Sequence, residues 1–350
     1  MQTLATRFDP RANNFDLIRL VSALIVVFAH SYALARKEYD PLSTLLDYGF
    51  SGTLAVWSFL VISGFLVARS LENTNLTAFV WARFLRIYPA FAVVILLESL
   101  IIAPFFYEAD ISDYWRYWFA YHLHNLLLWP QDPYLPNVFS KLPYGAINGS
   151  LWTIPLEISF YIVLVLIAAV ETNRTKFFYP VAFALSIIAY FVMSYDGIDA
   201  TVGPKNVING ISLFQIFNYI SYFLAGVCAW KYRTKISISF GGFTVALVAM
   251  LACRDSLLGP LVIKFALPYI VLYLSVCGSV GTIIASRIGD PSYGIYLLAY
   301  PITNSVVAVT NARFDGLKVF LLSLPIILVA GALSWRLVEK PALSLKRPRN

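Results

Sequence analysis

Residues 15–34 read FDLIRLVSALIVVFAHSYAL. The stretch is apolar enough to cross a bilayer, yet it carries Arg19 near one end and His30 near the other. Ten residues separate the two. Eleven steps along a helix make just over three turns, so both side chains project from nearly the same face. The rise between them is about 16 Å, roughly half the hydrocarbon thickness of a bilayer. A cation and an imidazole on one face of a membrane helix are costly unless something uses or satisfies them. Two readings stand: a snorkelling arginine with a hydrogen-bonded core histidine, or a pair that a function uses.

The rest of the chain agrees with a membrane setting. It has 350 residues, 59% hydrophobic and only 13% charged, with a mean hydropathy of +0.71. Soluble domains carry roughly 25% charged residues. The expected fold is all-α: a polytopic integral membrane protein of about ten transmembrane helices. It reads as one transmembrane domain over 1–350 with no appended soluble domain. Cys228, Cys253 and Cys277 are odd in number and lie in or beside apolar runs, so they suggest no disulfide framework. The net charge of +7 is spread over short loops. It reads as a topology signal and not as a nucleic-acid surface.

Ala33-Leu34-Ala35 resembles a signal-peptidase site. The long polar lead, the arginine inside the segment and the many later spans argue for a retained first helix. Ten apolar segments follow one another: 15–35, 48–69, 79–103, 150–170, 177–195, 211–230, 237–253, 260–283, 291–311 and 317–337. With Arg19 set aside, sixteen Lys and Arg fall on the side of the N-terminus and nine on the other. The positive-inside rule then puts both termini in the cytoplasm. The connection Pro104–Gly149 would lie outside. Its aromatic stretch, Tyr114 to Trp129, suits an interfacial helix and a lid over an outward-facing cavity. His122 and His124 lie in it at i, i+2, a poor spacing for two ligands on one helix face, and no Cys or acidic cluster is near. No metal is expected.

Arg83 and Arg86 open the third segment at i, i+3 and share a face at the inner boundary. Two guanidinium forks side by side suit a phosphate-rich ligand, although the positive-inside rule also places arginines here. In the fourth segment Glu157 would sit about 10 Å below the outer boundary. His30, climbing from inside, would sit about 8 Å below the same boundary. Asp16, Arg19, Arg83, Arg86, Glu98 and Lys264 lie close enough to helix ends to snorkel. That leaves His30 and Glu157 as the deep ionisable residues. They could meet as a base with its orienting carboxylate, or as a structural hydrogen bond.

The order of motifs then resembles the membrane acyltransferase 3 family, the bacterial O-antigen and exopolysaccharide O-acetyltransferases. Arginine and histidine stand ten residues apart in the first helix, and Ser63-Gly64-Phe65 lies in the second. Arg83-x-x-Arg86-Ile-x-Pro89 opens the third, and Ser150-Leu-Trp152-x-x-x-x-Glu157-x-x-x-Tyr161 opens the fourth. Ser292-Tyr293-Gly-Ile-Tyr296-Leu297 and Val338-Glu339-Lys340-Pro341 close the set. The resemblance covers nearly the whole chain. One departure is Tyr300, at a position where the family often has a histidine.

The resemblance implies acyl transfer from acyl-CoA, usually acetyl-CoA, to a sugar hydroxyl of a surface polysaccharide or its precursor, free or lipid-linked. It implies a bacterial inner-membrane protein with acyl-CoA, a carbohydrate acceptor and membrane lipid as its partners. Arg83, Arg86 and Arg19 would meet the donor's phosphates. His30 would take the acceptor's proton, with Glu157 orienting it. Ser150, Trp152, Tyr161 and Ser63 would support the site or the acceptor. Ser63 is a conceivable nucleophile, but Ser-Gly in a membrane helix usually serves close packing. The rival class is a transporter or flippase for a lipid-linked sugar or small anion. It would also need buried charges. No inverted repeat and no paired Gly/Pro-interrupted spans support it. A scaffold protein would not need His30 and Glu157 at one depth.

Overall fold

A computed structural model of the chain describes residues 2–36, 38–128, 132–170, 177–195, 207–208 and 211–346. Nearly all of them are helical. Val207–Ile208 and Ile211–Ser212 pair as a minimal antiparallel ladder. Each of the ten apolar segments contains a helix. In chain order these are α1 Phe15–Arg36, α2 Ser51–Glu72, α3 Leu76–Leu97, then the loop helix α4 Ile111–Leu126, α5 Thr153–Ala169, α6 Phe178–Tyr195, α7 Leu213–Lys231, α8 Phe240–Ala252, α9 Gly259–Val276, α10 Ser292–Val309 and α11 Gly316–Ser334. Among the described residues six helices are long and apolar enough to cross a membrane, and α5, α6 and α8 are apolar but shorter. Lys37, Arg174, Lys176, Lys205, Arg347 and Arg349, all counted for orientation, lie outside the described residues, as does Trp129.

The opening stretch is central in space as well. Helix α1 packs on α2, α10 and α11 at once. The most extensive pairing is α2 with α7. It depends on two glycines facing opposite backbones. A Cβ on Gly64 would stand 2.0 Å from the Phe223 carbonyl oxygen, and one on Gly226 would stand 2.1 Å from that of Val61. Small residues let membrane helices approach this closely. The Ser-Gly motif therefore packs through Gly64, which leaves Ser63 free to face elsewhere.

Three expectations need correction. The segment 260–283 is not one helix. Helix α9 ends at Val276, and a second helix runs Val280–Ile288. Gly278 between them takes a φ of +135°, which side-chain-bearing residues rarely adopt. The polar lead stitches the break: Asn14 Oδ1 accepts from Gly281 N at 2.9 Å, and its Nδ2 donates to the Leu274 carbonyl at 3.1 Å.

Second, Glu98 and Lys264 do not snorkel. Glu98 is fully buried. It sits where α3 widens into a π turn, Glu98–Ile102, and accepts from Tyr121 and from Asn148 Nδ2 at 2.9 Å. Lys264 is 1% exposed and has no carboxylate partner among the described residues. Its ammonium donates to the Asn218 carbonyl at 3.0 Å and to Ser221 Oγ at 2.8 Å. The rings of Tyr222, Tyr190 and Trp57 surround it at 4.3, 4.5 and 5.8 Å. Ring quadrupoles replace the missing anion.

Third, the fourth helix starts inside the protein and not at its surface. Ala146, Ile147, Asn148, Ser150 and Leu151 are all buried. The loop dives into the bundle before α5 begins at Thr153. The long loop does contain a helix, α4, and it is amphipathic. Tyr114, Tyr121, His122 and Asn125 face inward, while Ile111, Trp115, Phe119 and Leu123 form an exposed apolar stripe. His122 is occupied by Ser99 Oγ at 3.2 Å and the Trp118 carbonyl at 3.1 Å.

Candidate active site

Two cavities lie at opposite ends of α1. The one at the N-terminal end of α1, here named inner after the expected orientation, is about 120 Å³ and is lined by Arg19 of α1, Ser63 of α2, Arg83 and Arg86 of α3, Glu157 and Tyr161 of α5, and Ser292, Tyr293 and Tyr296 of α10. These residues converge because α1, α3 and α10 all begin at this end and α2 terminates there. Helical spacing does the rest: Arg83 and Arg86, like Glu157 and Tyr161, are one turn apart on one face. The outer cavity, about 390 Å³, is lined by His30, Ala33 and Leu34 of α1, Glu38, Tyr39, Phe50, Tyr144 of the long loop, and Tyr300.

The inner cavity is dense in paired charge. Glu157 Oε1 accepts from Ser63 Oγ at 2.7 Å and also from Tyr161. Ser63 and Tyr161 hydroxyls are themselves 3.1 Å apart. Arg83 interacts electrostatically with Tyr161 and Glu157. Arg86 donates to Asp290 Oδ2 at 2.6 Å, and its second terminal nitrogen lies 4.0 Å from Glu339. Arg19 pairs with Asp16 and lies 3.4 Å from Asp290. Lys346, just beyond the last helix, stands in the same field. Desolvation and repulsion from Arg83, Arg86 and Arg19 push its ammonium down to about 8.

The outer cavity is different. His30 meets the edge of Tyr300 at 5.2 Å and the ring of Phe50 at 5.5 Å. Its Nδ1 is buried without a hydrogen-bond partner. The Tyr300 ring is held against Gly149, where a Cβ would lie 2.6 Å from the ring.

The structure therefore brings Arg19, Arg83, Arg86, Glu157, Tyr161 and Ser63 together and leaves His30 apart. No hydrogen bond joins His30 to Glu157. The cause is the buried entry to α5. Because Thr153 already lies inside, Glu157 sits further toward the inner end than a boundary start would put it. Thr153 Oγ1 reaches Tyr296 at 2.8 Å, and Tyr296 donates to the Ser150 carbonyl at 3.1 Å. Trp152 packs on Tyr219 with centroids 5.2 Å apart. Ser150 Oγ is buried without a partner. This layer is the wall between the cavities. Tyr296 faces the inner one and Tyr300 the outer one, a single helical turn or about 6 Å apart along α10.

Sequence reasoning passed over Asp290, Glu339 and Tyr296. Asp290 stands two residues before the Ser292-Tyr293-Gly motif and Glu339 lies inside Val338-Glu339-Lys340-Pro341, so acidic residues in or beside motifs are the available signal. No group of three or more His, Cys, Asp or Glu side chains suited to a metal occurs among the described residues.

A helical membrane bundle with a charged inner cavity and a histidine-lined outer one defines an integral membrane protein whose interior is furnished for chemistry. The acyltransferase-domain family Acyl_transf_3 matches residues 13–336, and the chain belongs to it. It is 28% identical over 351 residues to the O-acetyl transferase of Shigella phage Sf6, covering 97% of this chain and 98% of that protein. It is also 28% identical over 360 residues to nodulation protein 10 of Rhizobium leguminosarum bv. viciae, covering 95% and 94%. No solved structure matches.

Proposed function

We propose that the protein is a membrane-bound O-acyltransferase that moves an acetyl group from acetyl-CoA, on the cytoplasmic side, to a sugar hydroxyl. The acceptor is a surface polysaccharide or its lipid-linked precursor, and the membrane is the bacterial inner membrane. One transmembrane domain over 1–350 carries the activity, with both termini inside. The observation that carries this reading is the wall one helical turn thick, with arginines on one side and an imidazole on the other. Family membership and the O-acetyl transferase of the phage support it.

In this mechanism the donor's phosphates meet the guanidiniums at the inner mouth, and the thin arm of the donor threads the wall so that its thioester reaches the outer cavity. Its thioester is the acyl source, and no metal is needed. His30 receives the proton of the acceptor hydroxyl in the outer cavity as that oxygen attacks the thioester carbonyl. The C–S bond breaks, the acyl oxygen ester forms, and the CoA thiolate leaves. Glu157 acts on the donor side, where Ser63, Tyr161 and Arg83 surround it. Trp152 and Ser150 support the wall.

Purified protein incubated with radiolabelled acetyl-CoA and a sugar acceptor tests the reading. Label on the sugar is the expected result. Vectorial sugar movement without acylation would favour the transporter instead. Orientation is tested by cysteines placed at Lys141 and Lys235. Labelling from opposite faces is expected, and labelling of both from one face would sink the topology.

A further inference from the structure

The two arginines of the third-helix motif look equivalent in sequence, but they stand in different surroundings. Arg86 is committed to protein carboxylates. One terminal nitrogen is 2.6 Å from Asp290 and the other 4.0 Å from Glu339. Those acids are fixed in turn. Asp290 is 7% exposed and accepts from Ser292 Oγ at 2.5 Å. Glu339 is 2% exposed and accepts from Ser334 Oγ at 2.9 Å. It lies in the π turn Trp335–Glu339 at the end of α11. Gly294 leaves the room for it: a Cβ there would stand 2.9 Å from Glu339 Oε1.

Arg83 differs. It makes no ion pair within 4.0 Å among the described residues, and its Nε is shielded from solvent without a hydrogen-bond partner. Arg19 also has a spare Nε of the same kind, although its terminal nitrogens face Asp16 and Asp290. A buried guanidinium N–H without an acceptor is an unmet demand for one. Both of these line the inner cavity.

We infer that the arginines divide the labour: Arg83, aided by the Nε of Arg19, seats the phosphate of the donor, while Asp290 and Glu339 are positioning residues that hold Arg86 as a fixed cationic wall. This rests on the acyl-CoA reading and refines it. An incoming phosphate completes the hydrogen bonding of Arg83 and Arg19 without displacing a carboxylate from Arg86. Arg86 then contributes field and shape, and its loss acts through the loosened flank.

The test uses full-length protein in detergent, with CoA as the probe. Dissociation constants by calorimetry, donor KM, kcat and melting temperature are compared for Arg83→Gln, Arg86→Gln, Asp290→Asn and Glu339→Gln. Arg83→Gln should weaken CoA binding and raise donor KM by about tenfold or more, with kcat and melting temperature nearly unchanged. Arg86→Gln and Asp290→Asn should lower the melting temperature and weaken CoA binding by only about threefold at temperatures far below melting. The double variant Arg86→Gln/Asp290→Asn should lose less than the sum of its singles, because neither charge is left alone. Asp290→Glu should restore part of the binding, which a purely structural acid would not do. If Arg86→Gln does not fold, Arg86→Lys and Asp290→Asn carry the comparison. CoA binding untouched by Arg83→Gln, or lost more in Asp290→Asn than in Arg83→Gln, overturns the division. Unaltered protein that binds no CoA at all would instead overturn the donor reading on which it rests.

Discussion

The inner and outer cavities share a wall but are built on opposite principles. At the inner end each guanidinium has a protein counter-charge within reach or a carboxylate in its field, and the carboxylates are held by hydroxyls. Such a site is set in advance, so an arriving anion needs little reorganisation. At the outer end the imidazole rests between rings and its Nδ1 is unmet. No hydrogen bond from the described residues holds that nitrogen, and in the function proposed above the partner of the ring is the substrate. The difference sets a cavity of paired charges against one whose imidazole nitrogen is left uncommitted.

The largest effect should come from the outer side. His30→Gln keeps polarity but cannot serve as a comparable base. Acyl transfer should fall by about 10²–10⁴-fold while CoA binding and the elution profile in detergent are retained. Near-full transfer by a well-folded variant would remove His30 from the chemistry and erase the contrast between the cavities.

A smaller loss, about tenfold, is expected for Glu157→Gln. The amide still accepts from Ser63 and Tyr161, so the hydrogen bonds survive while the charge facing Arg83 is lost. Steady-state kinetics should show the change in donor KM as well as in kcat. A change confined to acceptor KM would mean that Glu157 belongs functionally to the outer cavity despite its position.

Gly149→Ala should have the mildest effect. Its Cβ would meet the Tyr300 ring at 2.6 Å and must move it against His30. Such overpacking costs about 1–3 kcal/mol. Acceptor KM should rise severalfold with donor KM unchanged, measured at saturating concentration of the other substrate. Equal shifts in both would show that the wall transmits strain to the inner side.

Much of this architecture was legible in the sequence. The ten apolar segments each hold a helix because a continuous apolar run leaves the backbone no better way to satisfy itself in lipid. The convergence of Arg19, Arg83 and Arg86 followed from helix starts on one side. The meeting of His30 with Glu157 did not follow, because depth was counted from an assumed boundary. The burial of Asn148 and Ser150 depends on Glu98 and Leu297, far away in sequence, and no local pattern records it. Lys264 failed for a similar reason. Its cage comes from Trp57, Tyr190 and Tyr222 on three other helices. The break at Gly278 is invisible in hydropathy, since apolar runs lie on both sides of it, and it is held by the distant polar lead: Asn13 bonds Thr282, and Asn14 bonds Leu274 and Gly281.

In the proposed function one cavity binds the donor and the other carries the reaction. Donor affinity and single-turnover acyl transfer, both measured on Arg83→Gln and His30→Gln from the same preparation, test it most directly. A crossed result is expected: Arg83→Gln loses affinity but transfers normally at saturating acetyl-CoA, and His30→Gln binds normally but does not transfer. Loss of the same quantity in both variants would contradict it.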